Sequence, residues 1–186
     1  GGDYWTRWVK SGENAERHNA GKLLHMAAEA AHLCGDPGMQ FDDTIHRYHT
    51  CKASGRQHSS NPCSEFLFLD DSACNLASIN LLKFLTPDGF DHERFAKACE
   101  ILIIAQDIFV DRASYPTRDI TVNSHAFRPL GLGYSNLGAL LMSLGYAYSD
   151  RSGRSLAALI TSVMTAAAYH MSTRIAERLS PFEGLD

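Results

Sequence analysis

Ser72-Ala73-Cys74-Asn75-Leu76-Ala77-Ser78-Ile79-Asn80-Leu81 is the stretch whose reading decides the fold. As a strand it alternates faces and puts Cys74, Leu76, Ser78 and Asn80 on one side. Asp70-Asp71 reads as a turn separating it from Phe66–Leu69, a second short extended run. Downstream the period changes. Thr86-Pro87-Asp88-Gly89 is a turn signal. Asp91 can cap a helix running to Arg112, with Phe95, Ala98, Leu102, Ala105, Ile108 and Phe109 as its apolar residues. Short strands alternating with long helices predict an α/β fold.

Further out, Leu23, Leu24, Ala27, Ala28 and Ala31 predict a helix from Ala20 to Leu33, stopped by Gly35 with Pro37 beyond. Met39–Ser60 is polar and aperiodic and reads as loop or extended chain. Tyr115–Pro129, with two prolines, reads as loop. Ser135–Leu144 predicts a helix ending near Gly145. Leu156–Leu179 predicts a last helix, capped by Ser152 or Ser155 and stopped by Pro181. Met142 and Met164 read as core. Gly131-Leu132-Gly133 with Gly138 fits close helix packing better than a phosphate loop, since no clear strand precedes it.

The 186 residues suffice for one domain, with 45% hydrophobic and 20% charged residues. A net charge of −4 and a pI near 6.1 lack the basic excess of a nucleic-acid binder. No apolar run approaches the roughly 20 residues of a membrane span. Gly1-Gly2-Asp3-Tyr4-Trp5 lacks the basic start and apolar centre of a signal peptide. The expectation is an excerpt of a longer, cytoplasmic protein. Cys34, Cys51, Cys63, Cys74 and Cys99 are odd in number and irregular in spacing, which makes a poor disulfide framework, and no C-x-x-C pair suggests structural zinc.

Chemistry concentrates in Asn61-Pro62-Cys63-Ser64-Glu65. In extended chain Asn61, Cys63 and Glu65 share a face, along about 13 Å at about 3.3 Å per residue. Pro62 fixes its own φ and biases Asn61 toward extended geometry. A carboxamide can orient a hydroxyl, a carboxylate can take a proton, and a thiol can do redox or radical chemistry. By spacing alone, a plain loop with a small apolar cysteine is the commoner case. Cys74 follows Cys63 after a turn and can lie near the same site. The plainer reading is a core strand with one buried cysteine. His46, His49, Cys51 and His58 match no common metal spacing and read as a solvated or core-edge loop. Asp42 and Asp43 read as a turn or cap. Cys34, at a helix end, and Cys99, within a helix, read as structural. A Cys/His hydrolase is an alternative that needs a histidine placed against Cys63 by the fold.

These residues, in order, resemble the active-site region of ribonucleotide reductase large subunits. Asn61–Glu65 and Cys74–Leu81 carry the resemblance. Gly35-Asp36-Pro37-Gly38-Met39-Gln40-Phe41-Asp42-Asp43-Thr44-Ile45 resembles the stretch upstream, and Arg128-Pro129-Leu130-Gly131-Leu132-Gly133-Tyr134-Ser135-Asn136-Leu137-Gly138 the glycine-rich helix entry downstream. Together they cover about Leu23 to Leu144. The resemblance implies part of a ten-stranded α/β barrel across residues 1–186, with a central finger loop at about 55–70 carrying the radical cysteine. It implies reduction of ribonucleotides, as diphosphates, to 2′-deoxyribonucleotides for DNA synthesis and repair. Cys63 would be the thiyl radical, Glu65 the base for the 3′-hydroxyl and Asn61 the amide holding the ribose hydroxyls. Residues 61–65, Pro62 and Ser64 included, would contact substrate. Cys74 would be half of a redox-active disulfide whose partner cysteine lies outside this chain.

The short Cys63–Cys74 gap, filled by Phe66-Leu67-Phe68-Leu69-Asp70-Asp71, resembles the adenosylcobalamin-dependent class. The resemblance further implies a thioredoxin- or glutaredoxin-like reductant and a homodimer at full length. It implies no nucleic-acid or membrane partner and no metal ligand in this stretch. Nothing here matches the family's other reducing cysteine, its substrate-phosphate loop, its allosteric site or its C-terminal cysteine pair, so the piece alone is expected to be inactive. The alternatives are the same reaction with a separate metal-radical partner protein, and an inactive remnant serving as a structural or interaction module.

Overall fold

The structure is a computed structural model that describes residues 2–185. The chain divides into two compact units, residues 1–47 and 48–186.

The first unit opens with an antiparallel hairpin, β1 (Asp3–Arg7) and β2 (Asn14–Asn19), pairing Tyr4 with His18 and Trp5 with Arg17. Gly12, at φ 74°, turns the chain where a side chain would be strained. Asp3 binds Arg17 and accepts from Asn19 Nδ2 at 2.6 Å. The Asn19 side chain also caps α1 (Ala20–Cys34), accepting from the Lys22 N–H. Gly35 ends α1 in the left-handed region, as its position predicts. No residue of α1 is buried. A short helix, α2 (Asp42–Tyr48), replaces the loop expected over Met39–Ser60. Asp42 and Asp43 sit in its first turn, where carboxylates meet unpaired helix N–H groups.

In the second unit β3 spans Asn75–Asn80, one residue short of Cys74. A tight hairpin follows, β4 (Leu85–Thr86) and β5 (Gly89–Phe90), at the turn expected over Thr86–Gly89. Asp91 caps α3 (His92–Arg112) as expected. Next come α4 (Arg118–Phe127), β6 (Leu130–Ser135), α5 (Leu137–Ser143) and α6 (Arg151–Leu179). The cap of α6 is Asp150, not Ser152 or Ser155.

Two further expectations are overturned. Tyr115–Pro129 holds helix α4, because its prolines bracket the helix instead of interrupting it. Pro116 precedes the Thr117 cap, and Pro129 follows Arg128, which ends the helix at φ 49°. Gly131-Leu132-Gly133 is itself strand, β6, and pairs in parallel with β3: Asn75 opposite Leu130, Leu76 opposite Gly131, Ser78 opposite Gly133. The β3–α3–α4–β6 connection is the helical crossover that parallel strands require.

The core gathers Ile79, Leu81, Phe84, Phe95, Cys99, Leu140, Ile160 and Ala167, joining one face of the strand pair to α3, α5 and α6. Phe84, Phe90 and Phe95 pack edge-on or tilted within it. Met164 packs against the core, whereas Met142, expected there, is 71% exposed. Ile108 and Phe109, read as part of the buried stripe of α3, are also exposed; the stripe runs through Phe95, Cys99, Ile103, Gln106 and Val110. Among the described residues no helix is long and apolar enough to cross a membrane.

Candidate functional site

The Asn61–Glu65 stretch is not extended, and the three-residue face expected from alternation does not form. The Ser64 N–H donates to the Asn61 carbonyl at 3.0 Å, closing a four-residue turn with Pro62 and Cys63 at its centre. Pro62 supplies the fixed φ that a turn wants after its first residue, so the proline stiffens a reversal instead of a strand. Ser64, at φ 63°, sends the chain back. The Asn61 N–H then donates to the Phe66 carbonyl at 3.3 Å, and Ser60 bridges Leu67. Phe66–Leu69, expected as a short strand or extended chain, forms no regular strand beyond that bridge. Asn61 and Glu65 therefore stand on opposite arms of a tight loop, with Cys63 exposed at its tip.

The loop is braced from within and behind. Asn61 Oδ1 accepts the Phe66 N–H at 3.0 Å, which leaves its amide NH₂ as the end able to meet a ligand. Gln57 Nε2 donates to the Leu67 carbonyl at 2.8 Å. It also donates to His49 Nδ1 at 3.0 Å, and His49 Nε2 lies 3.0 Å from the Gly55 carbonyl. With Nδ1 accepting from Gln57, His49 Nε2 is the nitrogen that donates to the Gly55 carbonyl. Phe68 packs edge-on against Phe127 of α4 at 5.6 Å, and Asn123 of α4 donates to the Asp70 carbonyl. His58 pairs with Asp70, and His46 with Asp42.

Cys74 lies at the entry to β3. Asn75 turns its side chain toward α3, so by alternation Leu76 and Ser78 face the other way, and both are exposed. On β6 the same open face carries Gly131 and Gly133, while Leu132 and Tyr134 pack toward the helices. The glycines keep that face free of side chains. A Cβ at Gly131 would stand 3.2 Å from Cys74 Sγ and 3.3 Å from the Asn75 carbonyl oxygen. Cys74 Sγ donates to that carbonyl at 3.6 Å. Burial pushes the Cys74 thiol up, and the nearby Glu65 carboxylate pushes it further. Glu65 and Cys74 thus come within electrostatic reach. Cys99 is fully buried, with its thiol pushed up to about 11 chiefly by desolvation, and is structural.

Sequence reasoning missed Gln106. It is 2% exposed and donates from Nε2 to the carbonyls of Asn75 (2.9 Å) and Gly131 (2.7 Å). Asn75 Nδ2 returns a bond to the Gln106 carbonyl at 3.0 Å. Its signal was a lone amide in the buried stripe of α3, between Ile103 and Val110. At the other end of the strand pair, Asn136 Nδ2 donates to Asn80 Oδ1 at 2.9 Å. A cavity of about 920 Å³ opens on the helix side, lined among others by Asp107, Arg128, Met164 and Tyr169. None of Asn61, Cys63, Glu65 or Cys74 lines it, so it is not where their chemistry meets. Among the described residues no group of three or more His, Cys, Asp or Glu is arranged for a metal ion.

Residues 3–186 match the family model described as ribonucleotide reductase, barrel domain. The chain is 50% identical over 185 residues to a vitamin B12-dependent ribonucleotide reductase of Rhodopirellula baltica, covering 98% of this chain and 18% of that protein. It is 49% identical over 189 residues to a protein of the same name from Streptomyces clavuligerus, covering 99% and 20%. It is 33% identical over 173 residues to a vitamin B12-dependent ribonucleoside-diphosphate reductase of Mycobacterium tuberculosis, covering 93% and 25%. The chain thus spans about a fifth of the length of the first two of these relatives. With nearly its whole length, residues 3–186, matched by the family model, this chain belongs to the ribonucleotide reductase barrel-domain family.

Proposed function

We propose that this chain is the active-site portion of a ribonucleotide reductase that converts ribonucleoside diphosphates to 2′-deoxyribonucleotides through a thiyl radical on Cys63. The observation that carries the reading is the exposed Cys63 at the tip of a braced turn, with Asn61 and Glu65 on its two arms and Glu65 within electrostatic reach of Cys74. In the full-length protein the loop at about 55–70 is the finger inside a ten-stranded barrel, of which β3 and β6 are two strands.

The sulfur of Cys63, as a thiyl radical, takes the ribose 3′-hydrogen atom and returns it to the same carbon once the 2′ position is reduced, which restores the radical on sulfur. Glu65, exposed on its arm of the loop, takes the 3′-hydroxyl proton. The Asn61 NH₂ orients the ribose hydroxyls, and the rest of the turn, Pro62 and Ser64, shapes the contact. The 2′-hydroxyl leaves as water. Two electrons and two protons come from a dithiol, Cys74 with a cysteine outside this chain, which ends as a disulfide. Burial and Glu65 keep Cys74 protonated, as a thiol that must deliver hydrogen requires. Enclosure of the radical by a barrel would exclude side reactions.

The relatives' names point to adenosylcobalamin as the radical source. Cys63 is the residue of this chain that fits such a cofactor, because its exposed thiol can be reached from outside the loop. When bound, adenosylcobalamin supplies the carbon-centred radical that oxidises a thiol by one hydrogen atom. Holding it falls to parts of the protein other than the residues described. A thioredoxin- or glutaredoxin-like reductant, a homodimer and a cytoplasmic setting complete the reading.

The test is turnover of a ribonucleoside diphosphate by the full-length protein. Strict dependence on adenosylcobalamin and loss of turnover in Cys63→Ser support the reading. Turnover without cobalamin in the presence of a metal-radical partner protein would move it to the alternative class.

A further inference from the structure

The two carbonyls that Gln106 grips belong to the two residues that seat the Cys74 sulfur. Asn75 O accepts the Cys74 thiol at 3.6 Å as well as Gln106 Nε2 at 2.9 Å. Gly131 O accepts Gln106 Nε2 at 2.7 Å, and the bare Cα of Gly131 faces the sulfur. The orientation of the Gln106 amide follows from its partners, since the flipped amide would set an oxygen against two carbonyl oxygens. That orientation leaves Gln106 Oε1 buried without a partner. The interior of α3 is apolar to either side, at Ile103 and Val110, so an aliphatic residue would avoid the orphan altogether.

We propose that Gln106 is a positioning residue for the Cys74 thiol: its amide ties the Asn75 and Gly131 carbonyls across the β3–β6 seam and so fixes the place and exposure of the sulfur. The ladder alone leaves the seam free to open at this end. Cys74 lies just before the first paired residue, where strand ends fray. Gln106 closes that end from the helix side without touching the reacting face. Among the described residues, the charge that acts on the sulfur is the carboxylate of Glu65. The catalytic consequence rests on the reading of Cys74 as a redox thiol; the positioning itself does not.

The experiment uses full-length protein carrying Gln106→Met, which keeps length and removes the donors, and Gln106→Glu, whose protonated carboxyl can still donate to one carbonyl. Alkylation of Cys74 by iodoacetamide is followed against pH by peptide mass, with Cys63 and Cys99 as internal references, alongside kcat and KM. In Gln106→Met the seam admits water, so Cys74 reacts at least about threefold faster at pH 8 and its profile moves toward lower pH. Cys63 is unchanged and Cys99 stays protected. The sulfur is displaced, so kcat falls about tenfold with KM little altered. Gln106→Glu lies between the two. Cys74 profiles in both variants that superimpose on wild type overturn the proposal, as does a parallel shift of Cys63 and Cys74. Should Cys99 become reactive in Gln106→Met, the fold is lost and Gln106→Glu decides by the same criteria. Loss of fold in both marks a general structural role and overturns it too. Full turnover in Cys74→Ser would sink the redox reading alone, with the alkylation profile still deciding whether Gln106 positions the thiol.

Discussion

Cys74 Sγ lies 3.2 Å from the point where a Cβ on Gly131 would stand, so the sulfur occupies space that a side chain at 131 would take. Gly131→Ala would also bring that Cβ to 3.3 Å from the Asn75 carbonyl and 2.5 Å from Leu76 Cδ2. Leu76 is exposed and can swing away; the sulfur and the carbonyl must shift. The expected cost is about 1 kcal/mol in stability by thermal melting. In full-length enzyme, substrate reduction should slow while exchange of the substrate 3′-hydrogen, which the proposed mechanism assigns to Cys63 and not to Cys74, should persist.

Glu65 disfavours the Cys74 thiolate, as does burial, which is the larger cause. Replacing Glu65 by Gln removes the charge and leaves the burial. The Cys74 thiol then ionises at lower pH than in wild type but still above an ordinary thiol. The pH profile of Cys74 alkylation should therefore move part of the way toward lower pH. An unmoved profile would mean that the loop and the strand are not in electrostatic contact.

Arg128 fastens the start of β6 to α3. Its Nε donates to Asp107 at 2.8 Å, and its NH₂ groups reach Asp111 at 2.7 and 3.1 Å. Arg128→Met leaves the Asp107 carboxylate half-buried and unpaired, at a cost of roughly 2 kcal/mol, less than for a fully enclosed pair. Asp111 is held below the usual carboxylate range, chiefly by the hydrogen bond from Arg128. A lowered carboxyl stabilises the fold above its ordinary pKa and stops doing so as pH falls through the lowered value. Acid denaturation of Arg128→Met should accordingly be less steep below about pH 4 than that of wild type.

Phe68 anchors the loop by stacking on Phe66 at 6.0 Å and meeting Phe127 edge-on. Phe68→Ala should cost about 2 kcal/mol, below the range for a fully buried phenylalanine. It should lower kcat more than it raises KM, because Cys63 would be held less firmly relative to bound substrate. Steady-state kinetics of the full-length variant checks both.

The helices were legible where stop or cap signals and apolar spacing agree, as at Ala20–Gly35 and Asp91–Arg112. The Thr86–Gly89 turn was legible from Pro87 and Gly89. Two elements were hidden for opposite reasons. β6 lacks the branched residues that mark strands, because its open face is glycine. α4 sits between prolines that look like breakers and act as borders. The first unit also holds the β1–β2 hairpin, whose alternation is hard to see because Trp5 and Thr6 sit between the charges of Asp3 and Arg7. At the site the residue types were legible and the geometry was not. Pro62 can bias its neighbour toward extended chain or seed a turn, and the hydrogen bonds of Asn61 and Ser64 select the turn.

The most direct test of the central claim is hydrogen exchange at the substrate 3′ carbon. Full-length wild type and Cys63→Ser are incubated with adenosylcobalamin and a ribonucleoside diphosphate tritiated at the 3′ position. Release of tritium by wild type and none by Cys63→Ser is the predicted result. Release at the wild-type rate by Cys63→Ser would show that the hydrogen is taken by some other group and would contradict the account.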